Sequence, residues 1–347
     1  MKNKKIFYIS LIIIVLMGVA TIGAVGYNFL FNVNFSTPNN EKCLIFITEN
    51  TTFSAFADTL SAKGYLKNRK SFENYAKMRG LENKIKVGCY TVKSGMTNRD
   101  FFNIVCNGWQ TPVKLTFNNV RFKENLCSKI SKQVNIDSAE LYNYLNDSVF
   151  LEQYGFTPQT VLAMFIPNTY EVYWTISPYQ FFERINKEYS KFWNETRTEK
   201  AAEIPLSRLD VAVLASIVDE ETNKKSEKPI IAGLYINRLK KGMKLQACPT
   251  ARYAAGDFTI TQVLDFHTNI DSPYNTYKYH GLPPAPIRMP SIEGIDAVLN
   301  YAHHNHIFMC AKPELNGKHA FAATLGEHEK NVKAYYRAYR EWKKNQD

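Results

Sequence analysis

Between Lys5 and Glu41 the chain has no charged side chain. That absence excludes an ordinary solvated N-terminal segment, because a run this apolar is expected to leave water. The stretch IFYISLIIIVLMGVATIGAVGYNFLF follows MKNKK and exceeds the roughly 20 apolar residues a bilayer span needs. Three lysines before it favour a cytoplasmic N-terminus. A cleaved signal peptide is the alternative, although its apolar core usually has only about 7 to 15 residues. The expectation is a cytoplasmic tail at 1–5, a transmembrane helix at 6–31 and a polar linker at 32–42. The protein is then single-pass in the cell's inner (cytoplasmic) membrane, with its catalytic domain extracytoplasmic (periplasmic).

Other absences narrow the chemistry. The six cysteines include no C-x-x-C pair, so zinc-ribbon and thioredoxin-like readings lack their ligands, while disulfides and buried thiols both remain open. No G-x-S-x-G, Walker loop or G-x-G-x-x-G is present, which removes the serine-hydrolase elbow and the nucleotide folds. The histidines of HHNH (303–306) do not form the H-E-x-x-H pair of a helical metal site, so exposed loop histidines are expected and no metal or other cofactor. Forty-three basic against 32 acidic residues give +11, with the lysines spread along the chain. Without a basic recognition helix or an RNP-like strand, nucleic acid is not expected. Anionic headgroups or an anionic wall polymer fit such a surface, and plain solvated charge does too.

What is present reads as a globular chain of several small domains: 347 residues, 45% apolar and 14% aromatic. CLIFIT (43–48) reads as a strand and is followed by a helix with Phe53, Phe56 and Leu60 near helical spacing, capped by Thr51 or Thr52. A second helix, capped by Ser71, ends at Gly80, and a strand and short helix run on to Gly108. Strand, two helices and strand make a small α+β module. A strand within 112–120 and two short helices echo that order weakly. FIPNTYEVYW (165–174) reads as strand or loop, and residues 177–204 as one amphipathic helix. From Pro205 come the helices SRLDVAVLASIVDEE and SEKPIIAGLYINRLKKG, the latter with Ser226 as cap and Gly242 as stop. Loops rich in Pro, Tyr, Asn and Gly follow, interrupted by a helix at SIEGIDAVLNYA, strand-like HIFMCAK and GKHAFAATL, and a charged helix from about His328 to Lys344.

Within LASIVDEET (214–222) stand three consecutive carboxylates. Glu221 lies three, four and seven residues after Val218, Ile217 and Leu214, so it continues the apolar stripe, whereas Asp219 and Glu220 fall nearer the flank. A poorly solvated carboxyl group has a raised pKa, which a general acid at neutral pH requires. An ordinary ion pair of Glu221 with Arg238 or Lys225 is the alternative.

Several segments carry a resemblance when taken together: LASIVDEET (214–222), GLYINRLKKGMKLQACPT (233–250), SPYNTYKYHGLPPAPI (272–287), GKHAF (317–321), EHEKNV (327–332) and IPNTYEV (166–172). Their order and spacing resemble the MltG/YceG-like endolytic murein transglycosylases over roughly residues 160–340. The resemblance implies an α+β fold: a LysM-like α+β module at 43–110, a connecting α+β segment at 111–160 and a mixed α/β catalytic domain with long loops at 161–345. It implies cleavage of peptidoglycan glycan strands between N-acetylmuramic acid and N-acetylglucosamine, leaving 1,6-anhydro ends and so terminating or releasing nascent strands. The family motif reads like IVEKET, and its essential acid falls on Glu221. One carboxyl then serves twice, protonating the glycosidic oxygen and afterwards taking the proton of the muramic acid 6-hydroxyl. Gln246, Tyr274, Asn275, Tyr277 and His319 match family motifs and are expected to bind substrate, with loop structure the alternative for the asparagine and the tyrosines. Peptidoglycan strands, the membrane and, through the family, membrane-bound glycan polymerases (penicillin-binding proteins) are the expected partners. Cys248 and Asn168 stand where the family usually has aspartate. A non-catalytic peptidoglycan-binding scaffold of the wall-synthesis machinery is the rival reading, and a hydrolase that uses water in place of the 6-hydroxyl is a third.

Overall fold

The structure, a computed structural model, describes residues 10–19, 27 and 31–344. Residues 10–19 are helical. At 1.5 Å per residue they rise about 15 Å, half of a hydrocarbon core of about 30 Å. Residues 6–9, 20–26 and 28–30 of the expected span lie outside the described residues. Among those described, no helix is long and apolar enough to cross a membrane. This overturns the expected transmembrane helix, and with it the single-pass anchor and the sidedness inferred from it.

The chain forms two compact units, one of Met1–Leu115, Gln133–Asn135 and Glu171–Ile176, the other of Thr116–Lys132, Ile136–Tyr170 and Ser177–Asp347. In the first, β1 (Cys43–Ile47) pairs antiparallel with β2 (Gly88–Val92), Cys43 opposite Val92 and Ile47 opposite Gly88. Alternation along β1 buries Ile45 and Ile47 and leaves Leu44 and Phe46 outside. Helices α1 (Phe53–Ala62), α2 (Arg69–Arg79) and α3 (Asn98–Asn107) cover the buried face. Thr52 caps α1, accepting from the Ala55 N–H. Asn68, rather than Ser71, caps α2: the Ser71 N–H donates to its Oδ1 at 2.9 Å. Thr97 and Asp100 form a capping box on α3. The core is aromatic, with Phe72 stacked on Phe102 at 4.8 Å and Phe35 against Phe101 at 4.5 Å.

The second unit contains α4 (Lys123–Ser131) and α5 (Ser138–Tyr144), then α6 (Pro178–Phe192) and α7 (Glu195–Glu203) where one helix was expected. The chain breaks because Trp193 leaves helical geometry at ψ 60° and is buried, while the Asn194 side chain accepts from the Arg197 N–H and starts α7. Next come α8 (Arg208–Glu221), begun by a Ser207/Asp210 capping box, and α9 (Lys228–Lys240). Glu227 and not Ser226 precedes α9, with no side-chain cap bond. A further helix, α10 (Cys248–Ala255), occupies a stretch expected to be loop, with Pro249 in its first turn and Gly256 left-handed at φ 68° just past its end. After α11 (Ile292–Leu299), β5 (Phe308–Ala311) and β6 (His319–Ala322) pair antiparallel, with Ala311 opposite His319, and α12 (Leu325–Lys344) ends the described chain. Two more strands are β3 (Val113–Phe117) and β4 (Asn168–Val172).

Helix α8 runs through the middle of this unit. Residues 211–219 are buried on every side, with Leu214, Ile217 and Val218 in one cluster with Ile231, Tyr235 and Ile295. The apolar stripe read from spacing is therefore a full cylinder, and face alone does not separate the three acids at its end.

Candidate active site

Each carboxylate at the end of α8 meets a different neighbour. Asp219, expected on a flank, is buried: its carboxylate pairs with Lys228 Nζ and accepts from the Ser291 N–H at 2.7 Å and the Ser291 hydroxyl at 2.8 Å. Ser291 is the N-cap of α11, so Asp219 fixes that helix's start. Gly294 permits the approach, since a Cβ there would lie 2.6 Å from the Asp219 carboxylate. Glu220 is held by two guanidiniums, Arg121 at 2.7 Å and Arg288 at 2.8 Å.

Glu221 has neither arrangement. Its Oε1 accepts from the Tyr235 hydroxyl at 2.6 Å, and no ion pair to it occurs among the described residues. The cations that might have taken it are engaged elsewhere, Lys225 with Glu293 at 2.8 Å and Arg238 with main-chain carbonyls. Burial raises the Glu221 pKa above its ordinary value. The Tyr235 hydrogen bond and the nearby His319 and Arg252 oppose that rise, and Glu220 adds to it. Tyr235, buried in α9 and facing this carboxyl, has its own pKa raised well above the phenol range, first by burial and then by Glu221. It stays a neutral donor.

Glu221 opens onto a cavity of about 480 Å³ and is the one acid lining it among the described residues. Gln246 and Tyr277 line the same cavity, as does Arg238. Gln246 holds a left-handed backbone, φ 51°, where a side chain is strained, and its Oε1 accepts from Arg238 Nη1 at 3.1 Å. The Tyr277 hydroxyl lies 3.2 Å from Cys248 Sγ, and burial pushes its pKa up, with Cys248 adding to the shift. Asn275 and Tyr274 lie outside the cavity lining. Asn275 is fully buried and donates to the carbonyls of Thr268 at 3.0 Å and Ile270 at 2.9 Å, holding the loop that carries Tyr277. Tyr274 packs its ring against Tyr253 at 4.7 Å.

His319 reaches the cavity from β6. Its backbone N–H donates to Glu227 Oε1 at 2.8 Å and its Nδ1 lies 3.2 Å from Glu227 Oε2. A carboxylate only accepts, so Nδ1 carries a proton directed at Glu227. His304 and His306 lie elsewhere, His304 Nε2 at 2.9 Å from the Ile230 carbonyl and His306 stacked on Phe321 at 5.8 Å. All six cysteines are free thiols. Of the two positions where the chain departs from the family pattern, Cys248 lines the cavity, whereas Asn168 is exposed at the start of β4 with its Oδ1 accepting from the Thr169 N–H.

Sequence reasoning missed Tyr235 and Glu227. The signals were a tyrosine inside the apolar run of a buried helix, and an acid two residues before the proline in its first turn.

A cavity with one uncompensated carboxyl, a phenol donor on it and an oriented imidazole is an arrangement capable of acid–base chemistry with a single acid. The chain belongs to the YceG-like family, whose model matches residues 45–334. It is 29% identical over 304 residues to an endolytic murein transglycosylase of Bacillus subtilis (strain 168), covering 83% of each chain. It is 24% identical to an endolytic murein transglycosylase of Streptococcus pneumoniae serotype 2, covering 95% of this chain and 65% of that one. Its fold is similar to that of a yceG-like protein from Listeria monocytogenes at a TM-score of 0.55, with 24% identity and coverage of 84% and 98% of the two chains.

Proposed function

We propose that the chain is an endolytic lytic transglycosylase that cleaves peptidoglycan glycan strands between N-acetylmuramic acid and N-acetylglucosamine, leaving 1,6-anhydro ends. The observation that carries this reading is that Glu221 alone among the cavity-lining residues is an acid. A glycosidase that uses water or a covalent intermediate ordinarily needs two carboxyl groups flanking the bond. Transfer to the substrate's own 6-hydroxyl needs one, acting first as acid and then as base.

In this mechanism Glu221, whose hold on its proton is strengthened by desolvation, gives that proton to the leaving glycosidic oxygen as the bond to C1 breaks. The Tyr235 hydroxyl, 2.6 Å away, steadies the carboxylate that results. The carboxylate then takes the proton of the 6-hydroxyl as that oxygen closes on C1, which returns Glu221 to its acid form. Gln246, Tyr277 and His319 supply hydrogen bonds to sugar hydroxyls or to charge developing on the ring. Glu227 is a positioning residue, acting through His319. Such cleavage within strands would end or release them as they are made, beside the polymerases that make them.

The test is digestion of purified peptidoglycan by the wild-type chain and by Glu221→Gln, with products read by mass spectrometry. Anhydro ends that fall by roughly 10³-fold in the variant are expected. Reducing ends would mean hydrolysis, and no products from the wild type would leave the non-catalytic scaffold.

A further inference from the structure

Beyond the hairpin of β5 and β6 the catalytic cavity has a neighbour. Ala311 lines both it and a second groove of about 330 Å³. One wall of that groove is Tyr335, Tyr339 and Trp342 of α12, and Lys312 and Lys318 lie across from them. The three aromatic positions are four and three residues apart, so they share one helix face. Tyr335 stacks on Tyr339 at 5.9 Å and 22°, and Tyr339 on Trp342 at 5.8 Å and 27°. The ladder rises about 10 Å along the helix axis, the length of a disaccharide.

Packing does not account for these rings. None of the residues of α12 is buried, and Tyr339 and Trp342 are 39% and 47% exposed. Stacked rings of this size facing water are unfavourable unless something covers them. No acid is among the groove's lining residues, and two lysines are. Aromatic faces take the C–H faces of pyranose rings, and lysines take carboxylates. A peptidoglycan strand carries both, sugar rings along its length and carboxylates on its stem peptides.

We propose that this groove is a subsite that holds the peptidoglycan glycan strand a few sugars away from the bond broken at Glu221. The proposal rests on the peptidoglycan-cleaving function above. Proximity favours the strand over other occupants: a polymer cut in its interior extends beyond the catalytic cavity, and that cavity and the groove share Ala311 as a lining residue. Rings on one face of α12 grip the sugars, and Lys312 and Lys318 pair with the peptide carboxylates at the edge.

The test measures binding by calorimetry, with Glu221→Gln as the background to keep strands intact. The ligands are soluble peptidoglycan strands of several disaccharides, a single disaccharide-peptide, and vesicles of anionic phospholipid. Adding Tyr339→Ala and Trp342→Ala together is expected to weaken long-strand binding roughly ten-fold and leave the disaccharide unchanged, with the thermal melt preserved because both residues are surface-exposed. Trp342→Phe should retain most of the affinity. Lys312→Gln with Lys318→Gln should weaken peptide-bearing strands and spare peptide-stripped ones. Unchanged strand affinity in the aromatic double variant overturns the proposal, as does loss of vesicle binding alone or an equal loss for the disaccharide. Cleavage by the otherwise wild-type chain separates the two claims. A chain that cuts strands but is indifferent to the double substitution keeps its function and loses the subsite. A chain that cuts nothing, yet loses strand binding on the double substitution, keeps the subsite.

Discussion

The two units bury different kinds of side chain. The first fills its core with rings such as Phe35, Phe56, Phe72 and Phe101, and among the described residues its buried polar side chains are Asn34, Thr37 and Asn98, none of them ionisable. The second buries Asp219, Glu227, Lys228, Arg238 and His267. An aromatic core stabilises wherever its volume is filled, whereas a buried charge costs stability unless it is paired and hydrogen-bonded. Charges kept under that cost position something. Asp219 sets the start of α11, Glu227 orients His319, and Arg238 gathers the carbonyls of Lys244, Leu245 and Ile307 around the cavity. The first unit shows how a small module is held together, and the second how a fold gives up stability to keep a site in shape.

The sharpest break of that comparison sets one substitution in each unit side by side. Phe72→Ala removes a ring that touches Phe35, Phe53, Phe56, Phe101 and Phe102, and should cost about 3–5 kcal/mol. Lys228→Ala strands the Asp219 carboxylate and should cost about 3 kcal/mol, the two Ser291 hydrogen bonds limiting the loss. The units differ in rescue. Adding Asp219→Asn with Lys228→Met should recover most of the second loss in denaturant titrations, while only a refilled volume recovers the first. If the charge-free pair is as unstable as Lys228→Ala, Asp219 and Lys228 are held by packing and the contrast fails.

Glu227→Gln tests positioning. Its amide still meets His319 but no longer selects the Nδ1–H tautomer. The turnover rate should fall roughly ten-fold with KM little changed and the pH profile displaced, whereas a purely structural role would move the melt and leave the profile alone.

Glu221→Gln tests whether the site lowers stability. Burial raises the folded-state pKa above 4.5, so the native chain holds this proton more tightly than the unfolded chain. Stability therefore falls as pH rises from about 4.5 through the raised pKa and stays lower above it. Glutamine does not ionise, and the variant should be more stable by about 1 kcal/mol on the alkaline side of that window, with no difference well below it. Activity follows the same group: the acid form is lost, and the rate declines, as pH rises through the raised pKa.

The smallest effect is expected at Cys248. Cys248→Asp places a second carboxylate among the cavity-lining residues. Like charge disfavours ionised Glu221, so the alkaline limb of the rate profile should move up by a fraction of a pH unit, read from initial rates across pH.

Much of the second unit was legible in its residues. Ser207 with Asp210 marks the start of α8, and Gly242 lies just past the end of α9 at φ 62°. Helix α10 carried readable signals too, Pro249 in the first turn and Gly256 after the end, but the loop-like residues around it masked them. The break at Trp193 was not readable, because the residue that ends α6 is apolar and leaves the helix to enter the core. The expected transmembrane helix shows the reverse error, where composition suited a span and the described helix is too short for one. At the site, spacing singled out Glu221 by an argument that the buried cylinder of α8 removes. The family resemblance singled out Gln246, Tyr277 and His319, which line the cavity with it, and did not distinguish them from Asn275, whose amide serves loop carbonyls.

The sequence by itself determined where α8 begins, where α9 stops and which nine residues carry the acids, because caps, left-handed stops and apolar periodicity act between residues a few positions apart. The tertiary structure alone decided which acid is left without a charged partner. Arg121 and Arg288 reach Glu220 from 99 and 68 residues away, Ser291 reaches Asp219 across 72, and Tyr235 gives Glu221 a hydroxyl but no charge. A carboxyl group's proton affinity is set by the charges and solvent around it in space, and for three neighbours in one helix those surroundings come from distant parts of the chain.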